Sequence, residues 1–365
     1  MTNSPLFTPF TCKSLTFPNR IVMAPMTRSQ SPDGVPGHDV AEYYARRAAA
    51  DVGLIVTEGT TINRGGASND VKVPNFHEEK ALAGWKNVVD HVHGAGGEEG
   101  REGWEGGFVR KPGKGTVPDA PSDSPSGLTH TGKSVMPAPG ESDVADMVMA
   151  YANAAGEAKK RGFDCIELHG AHGYLIDQFF WEAMNVREDK YGGGLTERAT
   201  FAAEIIKETR KAVGPDMPII LRYSQWKQQD YAARLAQTPA ELEAFLKVFV
   251  DAGVDILHCS QRRFWEPEFD GSELNLAGWS KKLTGLPTIT VGSVGLSGDF
   301  FGAFQGQGSE TRPLDDLVER LDKGEFDLVA VGRAVLQDPL WAAKVKAGKS
   351  DELMNYDAKA VGVYY

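Results

Sequence analysis

Short apolar runs alternating with amphipathic stretches constrain this chain more than any other feature. Residues 20–24, 54–57, 163–169, 219–223, 256–259, 288–291 and 328–331 are each brief and apolar on both faces, and polar or glycine-containing residues follow them. Strands of that kind are covered on both sides, as in a parallel sheet. Between them, residues 40–50, 79–92, 142–161, 196–213, 238–252, 314–323 and 340–346 read as helices. Ser142 and Asp143 open one of them, and Pro239 suits the first position of another. The alternation predicts an α/β fold made of strand–helix units. Seven strands can be counted, and an eighth would close a (β/α)8 TIM barrel. The missing strand should lie between Val92 and Ser142.

The segment that should hold it reads badly as a strand. Residues 94–115 are dominated by glycine and charge, and both are disfavoured in a buried sheet. Read alone, this segment is a flexible loop, and the third-strand region at about 97–109 is its anomalous part. Residues from about 110 to 141 read as a long excursion rich in Pro, Ser and Gly. Such loops commonly shape the pocket at the carboxyl end of a barrel.

The chain has 365 residues, which suits one barrel domain with long loops over residues 1–365. A net charge of −11 and the lack of a long basic run argue against nucleic acid as the partner. No apolar stretch reaches the ~20 residues needed to span a bilayer. The first nine residues lack the basic and apolar regions of a secretory signal. Three scattered cysteines, Cys12, Cys165 and Cys259, fit neither a disulfide framework nor a zinc knuckle. A cytoplasmic location is expected.

Four stretches could carry chemistry. His169-Gly170-Ala171-His172-Gly173-Tyr174 begins where a buried strand ends, which in a barrel is the catalytic face. Two imidazoles there can donate hydrogen bonds to a carbonyl or nitro oxygen, and a phenol can supply a proton. A hydrogen-bonded turn and a zinc site are the rival readings, although no third ligand is evident nearby. Val291-Gly292-Ser293-Val294-Gly295 and Val331-Gly332-Arg333 follow the last two strands, whose loops commonly build a phosphate site. Glycine there admits backbone N–H groups to an anion, and Arg333 adds a charged fork. Arg222 ends its strand with a fixed positive charge at the barrel mouth. It stabilises an anionic cofactor, or else pairs with a neighbouring loop. Thr27, after Met23-Ala24-Pro25-Met26, could offer a hydroxyl to a ligand.

Together these stretches resemble the Old Yellow Enzyme family of FMN-dependent NADH:flavin oxidoreductases, over nearly the whole chain. The marks are Pro18-Asn19-Arg20-Ile21-Val22-Met23-Ala24-Pro25-Met26-Thr27-Arg28, then Thr57-Glu58-Gly59-Thr60, then the His169–Tyr174 motif running on to Asp177-Gln178-Phe179. Asn185-Val186-Arg187-Glu188-Asp189-Lys190-Tyr191-Gly192-Gly193 and Val331-Gly332-Arg333 complete the set. Thr27 in place of a cysteine is similar to the classical-type members, and Phe264-Trp265-Glu266-Pro267-Glu268-Phe269 to a bacterial subgroup.

The resemblance implies FMN as cofactor and NAD(P)H as reductant. It also implies reduction of activated alkenes such as enones, enals, maleimides and nitroalkenes. Pro25, Met26, Thr27 and Gly59 would contact the flavin ring, and Arg222 would stabilise its anionic reduced form. Gly292, Ser293, Gly332 and Arg333 would hold the phosphate. His169 and His172 would bind the substrate oxygen, with Trp265 also facing the substrate. Hydride would pass from flavin N5 to the β-carbon, and Tyr174 would protonate the α-carbon. Self-association is common among such proteins. The rival functions are a phosphate-binding barrel lyase or aldolase, and a catalytically impaired flavin-binding relative. An aldolase would want a strand-end lysine for a Schiff base, and none is obvious.

The resemblance is interrupted between Gly97 and Arg110. The family has an apolar third strand there, with a glutamine that pairs with the flavin and a tryptophan–histidine pair. Without gaps, the glutamine falls on Glu102, the tryptophan on Trp104 and the histidine on Glu105. A carboxylate can only accept, and it would face an anionic reduced flavin. A shifted reading frame, an engineered insert and a natural loop would each give such a stretch. Taken literally, it predicts weak FMN binding.

Overall fold

The computed structural model describes residues 4–68, 70–96, 98–103 and 123–364, with the backbone alone for 98–103. Eight parallel strands form a closed barrel. They are β1 (Ile21–Met23), β2 (Leu54–Val56), β3 (Glu98–Gly103), β4 (Cys165–His172), β5 (Ile219–Lys227), β6 (Ile256–Ser260), β7 (Thr288–Val291) and β8 (Leu328–Val331). Strand β8 pairs with β7 through Leu328↔Ile289 and with β1 through Val329↔Ile21, which completes the ring. A hairpin of Phe10–Cys12 and Leu15–Phe17 packs with the residues that fill one end of the interior.

The two-residue period of the strands sorts the side chains. Val22, Leu54, Val56, Cys165, Ile220, Ile256, Ile289, Leu328 and Ala330 join Leu15 and Phe17 in one cluster inside the barrel. Ile21, Met23, Ile55, Ile166, Ile219, Leu221 and Leu257 alternate with them and join the larger cluster under the helices. Counting inward positions along β4 therefore runs Cys165, Glu167, His169. Along β5 it runs Ile220, Arg222, and along β6 Ile256, His258, Ser260. Glu167 and His258, both inaccessible to solvent, meet across the interior at 2.7 Å. One step further toward the strand ends, the inward positions become polar and open onto a cavity.

The helices ring the barrel: His38–Ala48, Glu79–Gly94, Glu141–Arg161, Thr200–Val213, Pro239–Ala252, Leu276–Thr284 and Asp315–Asp322. Local chemistry sets their ends. Thr238 Oγ1 accepts from Glu241 N at 3.2 Å and Glu241 Oε2 accepts from Thr238 N at 3.2 Å, a reciprocal cap placed just before Pro239. Among the described residues, no helix is long and apolar enough to cross a membrane.

Four expectations change. Residues 98–103, which read alone as a loop, are the missing strand expected between Val92 and Ser142, because Glu98–Gly103 pairs with both β2 and β4 and closes the barrel. The backbone ladder requires only N–H and C=O groups, which glycine and glutamate supply as well as valine does. Residues 104–110, with Trp104 and Glu105, lie outside the described residues, as does much of the 110–141 excursion. His169 to His172 do not follow a strand that ends at 169, since β4 continues to His172 with a register shift between Gly170 and His172. Strand β5 likewise runs on from residue 223 to Lys227. The helix Leu276–Thr284, capped by Asn275 accepting from Gly278 N at 2.8 Å, had no strong periodic signal in its short sequence.

Candidate active site

A cavity of about 610 Å³ opens at the carboxyl ends of the strands. Ala24 after β1, Gly59 after β2, His169 and His172 of β4, Arg222 of β5, Ser260 of β6, Val291 of β7 and Gly332 after β8 all border it. Its size lies within the usual range of cofactor and ligand pockets.

His169, His172 and Tyr174 form one wall. The bulge after Gly170 and the left-handed backbone of His172, at φ 66°, turn both imidazoles to the same side. Ser224 Oγ accepts from His172 N at 3.0 Å and so fixes that turn. The ring of His169 lies 5.1 Å from those of His172 and Tyr174. His172 also stacks on Trp226 at 4.6 Å, and Trp226 Nε1 donates to Ser260 O at 3.1 Å.

Charge decides the state of this wall. Burial, followed by the neighbouring Arg222 cation, pushes His172 well below the usual histidine pKa. It is therefore a neutral imidazole at physiological pH. Its Nε2 lies 2.7 Å from Ser260 Oγ, and that same hydroxyl accepts from Arg222 Nη2 at 3.5 Å. A neutral ring held in this way can offer a hydrogen bond without giving up its proton.

The opposite end is built from the β7 and β8 loops. Gly292 adopts φ 144°, and a Cβ there would meet Gln261 O at 2.6 Å. Only glycine fits so close to the neighbouring strand-end loop. Arg333 begins the short helix Arg333–Gln337. Its guanidinium donates to Asp299 O at 2.8 Å, Gly298 O at 2.6 Å and Ser293 Oγ at 3.2 Å, which ties the two loops together. The Ser293 hydroxyl also faces Arg262 O at 3.0 Å and Gly298 O at 2.9 Å, so its side chain braces the loop.

Pro25, Met26, Thr27, Gly59, Arg222, Gly292, Ser293, Gly332 and Arg333 all line this one cavity with the two histidines and Tyr174. Trp265 does not. Its indole packs between Phe264 and the Arg312 guanidinium, 3.6 Å from the ring centre, away from the cavity lining. Of Glu102 the structure gives only the backbone, in register with Glu167 on β4. Trp226, Ser260, Gln261, Arg262, Tyr356 and Val361 line the cavity without having been singled out in the sequence. Only a polar or aromatic residue just after a predicted strand could have signalled them, and such residues are common.

The cavity lining contains Arg28, Arg222, Arg262 and Arg333 and, among the described residues, no Asp or Glu. In a chain of net charge −11 that segregation fits an anionic, ring-bearing cofactor. No three His, Cys, Asp or Glu side chains come together to hold a metal among the described residues. Fold and site thus define an α/β barrel with a cationic pocket for an anionic cofactor at the carboxyl ends of its strands.

Comparison with known proteins narrows the class. A model of the NADH:flavin oxidoreductase / NADH oxidase family matches residues 5–300. An NADPH dehydrogenase of Bacillus subtilis is 30% identical over 345 residues, covering 92% of this chain and 93% of its own. An NADH oxidase of Thermoanaerobacter brockii is 33% identical over 365 residues and 97% of this chain. The present chain spans only 52% of that relative. Morphinone reductase superposes with a TM-score of 0.80 at 27% identity, over 98% of this chain and 93% of that one. This chain belongs to the NADH:flavin oxidoreductase family, the Old Yellow Enzyme family, and its cofactor is FMN with a reduced nicotinamide as electron source.

Proposed function

We propose that the protein is an NAD(P)H-dependent ene-reductase that reduces activated C=C bonds of enones, enals, maleimides or nitroalkenes. The observation that carries this reading is the histidine–tyrosine wall on a cavity whose charged lining, among the described residues, is cationic. When bound, FMN supplies the two-electron redox centre. Arg333 and the Gly292–Ser293 and Gly332 backbone would hold its phosphate, while Pro25, Met26, Thr27 and Gly59 would border its ring. Arg222 would offer a buried positive charge to negative charge on that ring.

The substrate's carbonyl or nitro oxygen accepts from His169 and from neutral His172, which draws electron density from the alkene. Tyr174 then gives its phenolic proton to the carbon next to the activating group. The phenol is a weak acid, so it transfers the proton only as negative charge develops on that carbon.

Tyr174→Phe tests the assignment. Stopped-flow absorbance should show flavin reduction by NADPH within about threefold of the parent. Reoxidation by 2-cyclohexenone should slow by the 10²–10⁴-fold typical of losing a general acid. If both half-reactions keep their rates, the proton comes from elsewhere. His169→Ala should weaken binding of a phenolic ligand, seen as loss of its charge-transfer absorbance.

A further inference from the structure

The segment from Ala358 to Tyr364 borders the cofactor cavity through Ala358 and Val361, although Val361 is 49% exposed and Val363 45% exposed. Ala358, Ala360 and Tyr364 pack partly buried against the main core while the other residues of the stretch are exposed, so the hydrophobic effect holds it only in part. Its attachments are few and specific. Arg28 Nη2 donates to Val361 O at 3.1 Å and to Val363 O at 2.7 Å. The Tyr364 ring stacks on Tyr43 at 4.7 Å and 10°. The Arg28 guanidinium lies 5.0 Å from the Tyr43 ring centre and 5.3 Å from that of Tyr364.

The anchor itself is fixed. Arg28 is 4% exposed, and its backbone N–H donates to Glu58 Oε2 at 2.8 Å. Glu58 is inaccessible to solvent and precedes Gly59, a lining residue. Just upstream of the segment, Tyr356 exchanges both backbone hydrogen bonds with Ser309 at 2.8 and 2.9 Å, and Asp357 N donates to Gln337 Oε1 at 2.9 Å. The firmly held chain therefore ends at Asp357, and beyond it the Arg28 bonds, the Tyr43–Tyr364 stack and the partial packing of Ala358, Ala360 and Tyr364 hold residues 358–364 to the barrel.

We propose that residues 358–364 are a strap closing one side of the FMN cavity, and that Arg28 is the positioning residue that holds the strap shut. Release of FMN then requires the two Arg28–carbonyl bonds and the Tyr43–Tyr364 stack to break. Hydrogen bonds from a guanidinium are the stronger kind, so Arg28 sets the opening frequency. Bound FMN in turn favours the closed strap, because coupling between two binding events is reciprocal.

The test uses the FMN-loaded enzyme and reads flavin release as recovery of flavin fluorescence after dilution. Arg28→Ala and a chain stopped after Asp357 should each release FMN at least tenfold faster than the parent. Combining the two changes should add less than twofold, since both remove the same closure. Carboxypeptidase should trim the parent's last residues at least tenfold faster in the apoprotein than with excess FMN. Release at the parental rate from the shortened chain would overturn the proposal, as would effects of the two changes that multiply. Should Arg28→Ala fail to fold, the shortened chain and the trimming rates decide the matter alone.

Discussion

Lys227 and Asp177 have no access to water, so each charge depends on the other. Lys227 Nζ lies 2.6 Å from Asp177 Oδ1, while Asp177 Oδ2 accepts from Gly173 N at 2.6 Å. Burial raises the Asp177 pKa and lowers that of Lys227, and the partner's charge opposes each shift. The pair thereby pins the residue just before Tyr174, and Gln178 Nε2 holds Gly173 O at 2.9 Å from the other side. Asp177→Asn would leave a buried ammonium without its counter-charge, which typically costs about 3–5 kcal/mol. Urea unfolding with excess FMN should show that loss. The double change Lys227→Met, Asp177→Leu should recover most of it. An Asp177→Asn protein within about 1 kcal/mol of the parent would refute the dependence. This pairing was not legible in the sequence, because its members are 50 positions apart and Lys227 stands in none of the motifs, although Asp177 does. His169, Arg222 and Gly332 were legible for a physical reason. In a parallel barrel every strand ends on the same face, so the inward residues nearest the carboxyl end of each run must approach the same space. Trp265 shows the limit of that argument. It follows β6 in the chain, yet the Arg312 guanidinium draws its ring aside.

At the scale of elements, the strands hardest to read are those whose composition and hydrogen bonding disagree. Strand β3 carries Glu98, Glu99, Gly100, Arg101, Glu102 and Gly103. Nothing in that run asks for a sheet, but the two neighbouring strands leave one ladder position vacant, and the barrel closes only if it is filled. Strand β5 reads too short for the converse reason. Ser224, Gln225 and Lys227 near its end are polar because they bond His172 N, Glu268 and Asp177, and polar residues look like a loop. The other six strands and most helices were legible because apolar periodicity and burial coincide there. The same reasoning predicts uneven stability around the barrel. Glycine adds backbone entropy to the unfolded state and no side-chain packing to the folded one. Amides of Glu98–Gly103 should therefore exchange with deuterium at least tenfold faster than those of Cys165–His172. Equal protection of the two strands in hydrogen-exchange mass spectrometry would show that β3 is as firmly held as its neighbour.

For the whole molecule, buried acids and a buried base pull stability in opposite directions with pH. Burial raises Glu58 and Glu268 each to about 7, against the N–H donors on Glu58 and against Arg234 and Gln225 on Glu268. Between about 4.5 and 7 the folded chain thus holds two protons that the unfolded chain has released, so these acids make stability fall as pH rises across that window. His172 acts the other way. Its folded pKa is depressed, so below about 6.5 the unfolded chain takes up a proton that the folded one refuses, and stability falls as pH drops. Two protons against one leave the acids ahead. The free energy of unfolding, measured in urea with excess FMN, should decline from pH 5 to pH 7. Replacing both acids, Glu58→Gln with Glu268→Gln, removes their contribution. The decline of the double variant over the same interval should then be clearly smaller than the parent's. Parallel profiles for the two proteins would mean that the acids are ionised in the folded chain already at pH 5, and that the cationic neighbours of Glu58 and Glu268 outweigh their burial.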